Sequence, residues 1–79
     1  MVPETKNTCE QVFGKRLKEL RKEHGCTIEQ FADMVSISKS TLGYYENDKR
    51  MPDIEILARI ANVLNVSADY LIGRTNTTA

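Results

Sequence analysis

Residues 27–46 read Thr27-Ile28-Glu29-Gln30-Phe31-Ala32-Asp33-Met34-Val35-Ser36-Ile37-Ser38-Lys39-Ser40-Thr41-Leu42-Gly43-Tyr44-Tyr45-Glu46, and they contain two helix starts in close succession. Thr27 is an N-cap residue, Gln30 three positions on completes a capping box, and Cys26 stands where a hydrophobic staple would reach Phe31. Ile28, Phe31, Ala32 and Val35 then form one apolar stripe at helical spacing. Ser38 opens a second helix, with Ile37 and Leu42 at staple spacing and Tyr45 one turn further. Each helix is about eight residues long, and Val35-Ser36-Ile37-Ser38 is too short to return the chain antiparallel. The two helices are therefore expected to cross at roughly 90–120°. Ala32 suits that close approach, because a bulkier side chain would hold the second helix away.

Outward from this pair the pattern stays helical, and no segment alternates long enough to argue for a strand. Upstream, Thr8 and Gln11 form a capping box, Phe13, Leu17 and Leu20 recur on one face, and Gly25 provides a left-handed stop. Downstream, Asn47-Asp48-Lys49-Arg50-Met51-Pro52 reads as a loop. Asp53 caps a fourth helix with a stripe of Ile54, Leu57, Ile60, Ala61 and Leu64, ended by Asn65. Ser67 caps a short fifth helix with a Val66–Leu71 staple, and Gly73 ends it. The expectation is an all-α, compact five-helix domain over residues 8–74, with a flexible N-terminal arm at 1–7 and a flexible tail at 75–79.

The composition sets the boundaries of function. Seventy-nine residues allow one small domain, which buries only roughly 60–65% of the surface that its unfolded chain exposes. Hydrophobic residues at 41% and charged residues at 28% are the balance of a globular domain. There is no apolar run of membrane-spanning length and no apolar signal core after Met1, so a cytoplasmic location without membrane contact is expected. Eleven basic and eleven acidic residues cancel, which argues against holding nucleic acid by bulk positive charge and leaves room for one locally basic face. Cys9 and Cys26 lack the CxxC spacing of a zinc or redox site. His24 stands alone at a helix end, where positive charge suits the dipole. No metal or other cofactor is expected. With no glycine-rich phosphate loop and no ligand or catalytic cluster, an enzyme is not expected either.

Once Ile28, Phe31, Val35, Ile37 and Leu42 are buried, the outer face of the third helix is left to Lys39, Ser40, Gly43 and Tyr44. It is small, polar and little charged, and it suits entry into a major groove in the manner of a helix-turn-helix. The stretch from Phe13 to Arg74 resembles the five-helix DNA-binding domain of lambdoid phage repressors, Cro and their bacterial XRE-type relatives. The resemblance rests on three motifs in register: LKELRKEHG-x-T, S-x-S-T-L-x-x-Y-E-N and P-x-x-x-x-L-x-x-I-A-x-x-L-x-V-S.

This resemblance implies that Lys39, Ser40, Gly43 and Tyr44 face bases, and that Thr27, Ser38, Asn47, Lys49 and Arg50 contact phosphate. It also implies a partly buried ion pair between Arg21 and Glu46, and a dimer surface drawn from Val66, Tyr70, Leu71 and Ile72. Three departures stand out. Ile28 replaces a common glutamine, helix two carries Glu29 and Asp33 with no basic residue, and Ser36 occupies a turn position that is usually glycine.

Blander readings stand beside these. Lys39 and Ser40 could be an ordinary solvated helix start, Tyr44 an aromatic packed on helix four, and Lys49–Arg50 a generic charged loop. Lys15, Arg16, Lys18 and Lys22 read mostly as a solvated face, and Val66 to Ile72 could simply close the core. The expected function is a sequence-specific double-stranded DNA-binding transcriptional regulator, a repressor that reads a palindromic operator as a homodimer, with a regulatory protein partner conceivable. The alternative is an interaction module on the same fold, anti-repressor or antitoxin-like, that binds DNA weakly or not at all.

Overall fold

The computed structural model describes residues 9–75. The cap expected at Thr8, the arm 1–7 and tail residues 76–79 lie outside the described residues. The chain runs through α1 (Cys9–Glu23), α2 (Ile28–Val35), α3 (Lys39–Glu46), α4 (Ile54–Leu64) and α5 (Ala68–Leu71), with no strand among the described residues. No helix there is long and apolar enough to cross a membrane.

The helices are punctuated by one repeated device. Thr27, Ser38, Asp53 and Ser67 each sit in extended conformation and accept, on a side-chain oxygen, the N–H three residues later. Thr27 completes its box, its own N–H donating to Gln30 Oε1 at 2.9 Å. All five helices end on a residue with positive φ: Gly25, Ser36, Asp48, Asn65 and Gly73. In each case that residue's N–H and the next one bond back to the closing turn, as in Gly25 to Lys22 with Cys26 to Arg21, and Asp48 to Tyr45 with Lys49 to Tyr44. This Schellman pattern satisfies the orphan carbonyls and lets each helix stop within a residue or two. Asp48 was not foreseen as one of these stops.

Ser36 adopts φ 61°, ψ 43°, so the sharp turn between α2 and α3 rests on a serine where glycine would be unstrained. The left-handed conformation costs a non-glycine residue about 1–2 kcal/mol. Ser36→Gly gives back part of this in unfolded-state entropy. The variant is therefore expected to gain about 1 kcal/mol, a rise of about 4–8 °C in thermal midpoint. A lower midpoint would mean that the Ser36 side chain stabilises the turn in some other way.

One core joins all five helices: Phe13, Leu17 and Leu20 of α1, Phe31, Ala32 and Val35 of α2, Leu42 and Tyr45 of α3, Ile60, Ala61 and Leu64 of α4, and Leu71 of α5. Phe13 meets Tyr45 edge-on, with ring centroids 6.0 Å apart. Ala32 is buried beside the turn, and its carbonyl accepts the Ile37 N–H at 3.0 Å.

Three expectations are corrected. Ile54 is not part of the buried stripe: it is 86% exposed, because it occupies the first turn at the edge of the stripe, while Ile56 and Leu57 pack on the core. Leu71 is fully buried, so it closes the core and presents no side chain to a second copy. Arg16 is not on a solvated face. Its Nη1 donates to the carbonyls of Tyr70 (2.5 Å) and Thr75 (2.7 Å), and its guanidinium lies 4.1 Å from the centroid of the Tyr70 ring. Residue 75, expected in the loose tail, is thereby tied to α1.

Candidate nucleic-acid interface

The turn at Ser36 and the cap at Ser38 direct the start of α3 outward. Leu42 and Tyr45 anchor the helix in the core, while Lys39, Ser40 and Tyr44 are exposed and Gly43 is half-buried. All four expected base-facing residues therefore lie away from the core. Tyr44 is 48% exposed, and the Arg50 guanidinium stands 5.6 Å from its ring centroid. Tyr44, Lys49 and Arg50 line one shallow recess, so the basic loop and the outer face of α3 form a continuous surface. Arg50 also bears on Tyr45, whose phenol is raised above its ordinary value by burial and then by Asp53, with Arg50 opposing.

The expected phosphate contacts divide into two kinds. Lys49 and Arg50 are exposed, and their guanidinium and ammonium groups suit phosphate. Thr27, Ser38 and Asn47 are exposed too, but their side chains serve helix ends. Thr27 Oγ1 accepts from the Gln30 N–H, Ser38 Oγ accepts from the Thr41 N–H and donates to Thr41 Oγ1, and Asn47 Nδ2 donates to the Gly43 carbonyl. Thr27 and Ser38 stand at helix N-termini, which attract anions, whereas Asn47 closes the C-terminal end of α3, where the dipole gives phosphate no attraction.

The scaffold beneath is held by arginines. Arg21 meets Glu46 through two bonds, Nε to Oε2 at 2.6 Å and Nη2 to Oε1 at 3.1 Å, and donates from Nη1 to the Cys26 carbonyl at 2.8 Å. This is the ion pair that the family resemblance implied, and it also grips the entrance to α2. Arg59, which sequence reasoning missed, donates to the Val35 carbonyl at 3.1 Å and to Glu55 at 3.0 Å, tying α4 to the end of α2. Arg16, Arg21 and Arg59 thus each donate side-chain hydrogen bonds to distant parts of the chain. Lys39 also has a partner: its Nζ lies 3.7 Å from Glu29 Oε2.

Gly43 is surrounded by open space, and a Cβ built there meets nothing within 4 Å. Alanine fits without strain and removes the helix penalty of glycine, so Gly43→Ala is expected to raise stability by about 1 kcal/mol. If the backbone at Gly43 lies against base edges, the added methyl weakens DNA binding by about 1 kcal/mol or more. Thermal melting and a binding titration on one preparation check the two opposite signs; a gain in stability with unchanged affinity would place Gly43 away from the bases.

A helix-turn-helix family model, HTH_3, matches residues 17–71. The chain belongs to this family. The helix-turn-helix domain is 44% identical over 62 residues to the HTH-type transcriptional regulator ImmR of Bacillus subtilis, a match that covers 78% of this chain and 49% of ImmR. It also resembles the crystal structure of SinR, the master regulator for biofilm formation, in complex with DNA, with TM-score 0.72 and 33% identity over 76% of this chain and 97% of that one. The P22 c2 repressor in complex with a synthetic operator gives TM-score 0.74 and 28% identity, over 77% of this chain and 92% of that one. The chain spans about half to three-fifths of the length of the first curated relatives that it matches. The helix-turn-helix of this domain is α2 and α3, the pair that residues 27–46 specify.

Proposed function

We propose that this domain binds double-stranded DNA in a sequence-specific manner as a transcriptional regulator, a repressor acting as a homodimer on a palindromic operator. The observation that carries the reading is the outward face of α3: Lys39, Ser40 and Tyr44 are exposed at its start and middle, and Tyr44 shares a recess with Lys49 and Arg50. Lys39 and Ser40 offer hydrogen-bonding groups to base edges, and the 47–50 loop with the N-termini of α2 and α3 fixes register on phosphates. The role is one of binding, without a catalytic step.

One such domain reads few base pairs, so two copies on half-sites about one helical turn apart, ~34–36 Å, supply specificity. The dimer surface is assigned to Val66, Tyr70 and Ile72, which are half-buried around α5. The DNA-bound state of SinR and the operator-bound state of the P22 c2 repressor support this reading by likeness.

Selection of bound sequences from random duplex DNA, followed by a salt titration on the winner, tests it. Enrichment of a palindrome, with affinity that falls steeply as salt rises, is the expected result. Enrichment of nothing, together with a stable complex with another protein, would favour the interaction module instead.

A further inference from the structure

The Glu29–Lys39 pair adds little to holding the fold. Its two side chains are 74% and 65% exposed, and they stand on different helices at the rim of one recess lined by Glu29, Ala32, Asp33, Ile37, Ser38 and Lys39. An exposed pair of this kind is weakly bound and readily exchanges partners. Its placement beside the first turn of α3 is the informative part, because Lys39 is the first helical residue of the face proposed to meet DNA. A carboxylate there is repelled by phosphate and by the acceptor atoms N7, O6 and O4 of the major groove. The base-edge donors that it can meet in that groove are the exocyclic amino groups of cytosine and adenine.

Resting on the DNA-reading role proposed above, we infer that Glu29 and Lys39 act together as one reader of a G·C base pair. Lys39 donates to guanine O6 and N7, its preferred acceptors, and Glu29 accepts from the N4 amino group of the paired cytosine. The geometry matches in outline. Guanine O6 and cytosine N4 are hydrogen-bonded neighbours roughly 2.9 Å apart, and they face an ammonium and a carboxylate oxygen 3.7 Å apart, donor to acceptor and acceptor to donor. The pair also explains how an acidic α2 is compatible with reading DNA. With Glu29 offsetting Lys39, the two add little to attraction for arbitrary phosphates. A base pair that lacks the amino group leaves the carboxylate desolvated against acceptors, and that is a penalty on wrong sites.

The test is selection from random duplexes with the full chain, as wild type, Glu29→Gln, Lys39→Ala and the variant carrying both substitutions, each variant first checked for unchanged helical circular dichroism. The wild type is expected to enrich G·C at one position of each half-site. Glu29→Gln is expected to lose about tenfold of that preference at the same position while binding random DNA more tightly. Lys39→Ala should lose preference there too, and the double variant should lose little more than either single one. The inference is overturned if Glu29→Gln tightens binding equally on all sequences with every positional preference intact, for then Glu29 merely repels phosphate. It is equally overturned if the two variants affect different positions, or if the shared position is A·T. A wild-type protein that enriches nothing sinks the DNA-reading role itself, a failure visible before any variant is made.

Discussion

Glu46→Ala is expected to destabilise the domain by about 3–5 kcal/mol, enough to lower its thermal midpoint by more than about 12 °C. The pair it breaks is almost dry, with the side chains of Arg21 and Glu46 9% and 4% exposed. Truncation leaves the Arg21 guanidinium charged and cut off from water, with only the Cys26 carbonyl still accepting from it. The same argument gives the contrasting result for Arg21→Met/Glu46→Leu. With no charge stranded, the double variant recovers part of the loss, although the Cys26 carbonyl loses its donor. Urea or thermal unfolding of the three proteins measures this. A loss below about 1 kcal/mol for Glu46→Ala would put the pair in the class of surface ion pairs. The consequence reaches the interface, since Arg21 joins α1, the entrance to α2 and the end of α3, and so fixes where the outer face of α3 points.

Gly14→Ala carries the second large effect, and its sign runs against helix propensity. Glycine inside α1 should gain about 1 kcal/mol on replacement by alanine. A Cβ at Gly14, however, would lie 2.8 Å from the Tyr45 carbonyl oxygen and 3.2 Å from that of Glu46, besides meeting Asp48 Oδ1. Asp48 is exposed and its side chain can swing away, but the two carbonyls are the backbone of α3's last turn. The helices must move apart where Phe13 meets Tyr45. Overpacking of this kind costs about 1–3 kcal/mol, so a net loss is expected, together with weaker DNA binding as the 47–50 loop shifts. Thermal melting checks the first point and a binding titration the second. A variant more stable than wild type would show that α1 and α3 are not held this close. Gly43→Ala, in open space, is the internal control with the opposite expected sign.

What was legible in the sequence is what single residues decide locally. Thr27, Ser38, Asp53 and Ser67 announce helix starts because their side-chain oxygens satisfy orphan N–H groups. Gly25, Asn65 and Gly73 announce stops because they tolerate positive φ. The sharp turn followed from the brevity of residues 35–38, and with it the outward face of α3. What was missed depends on how far one helix reaches along another, and periodicity does not encode that.

Ile54 has the right residue type for the stripe but lies in the first turn, at its margin. Leu71 sits among half-buried neighbours and yet points inward. Arg16 and Arg59 reach carbonyls 54 and 24 residues away, and nothing in their local sequence separates them from solvated basic residues. Gly14 did leave a signal: a glycine within a strong helical pattern asks for a packing reason. The Glu29–Lys39 pairing required the crossing of α2 and α3 in three dimensions, although the acidic character of α2 was visible from the start.

The central claim is that the outer face of α3 lies in the major groove, and methylation protection of a selected operator by dimethyl sulfate tests it most directly. Guanine N7 opens onto the major groove and adenine N3 onto the minor groove. With α3 in the major groove, guanine N7 is protected within each half-site, and Lys39→Ala removes protection at one guanine. Unprotected N7 at every guanine, with protection confined to adenine N3, would contradict it.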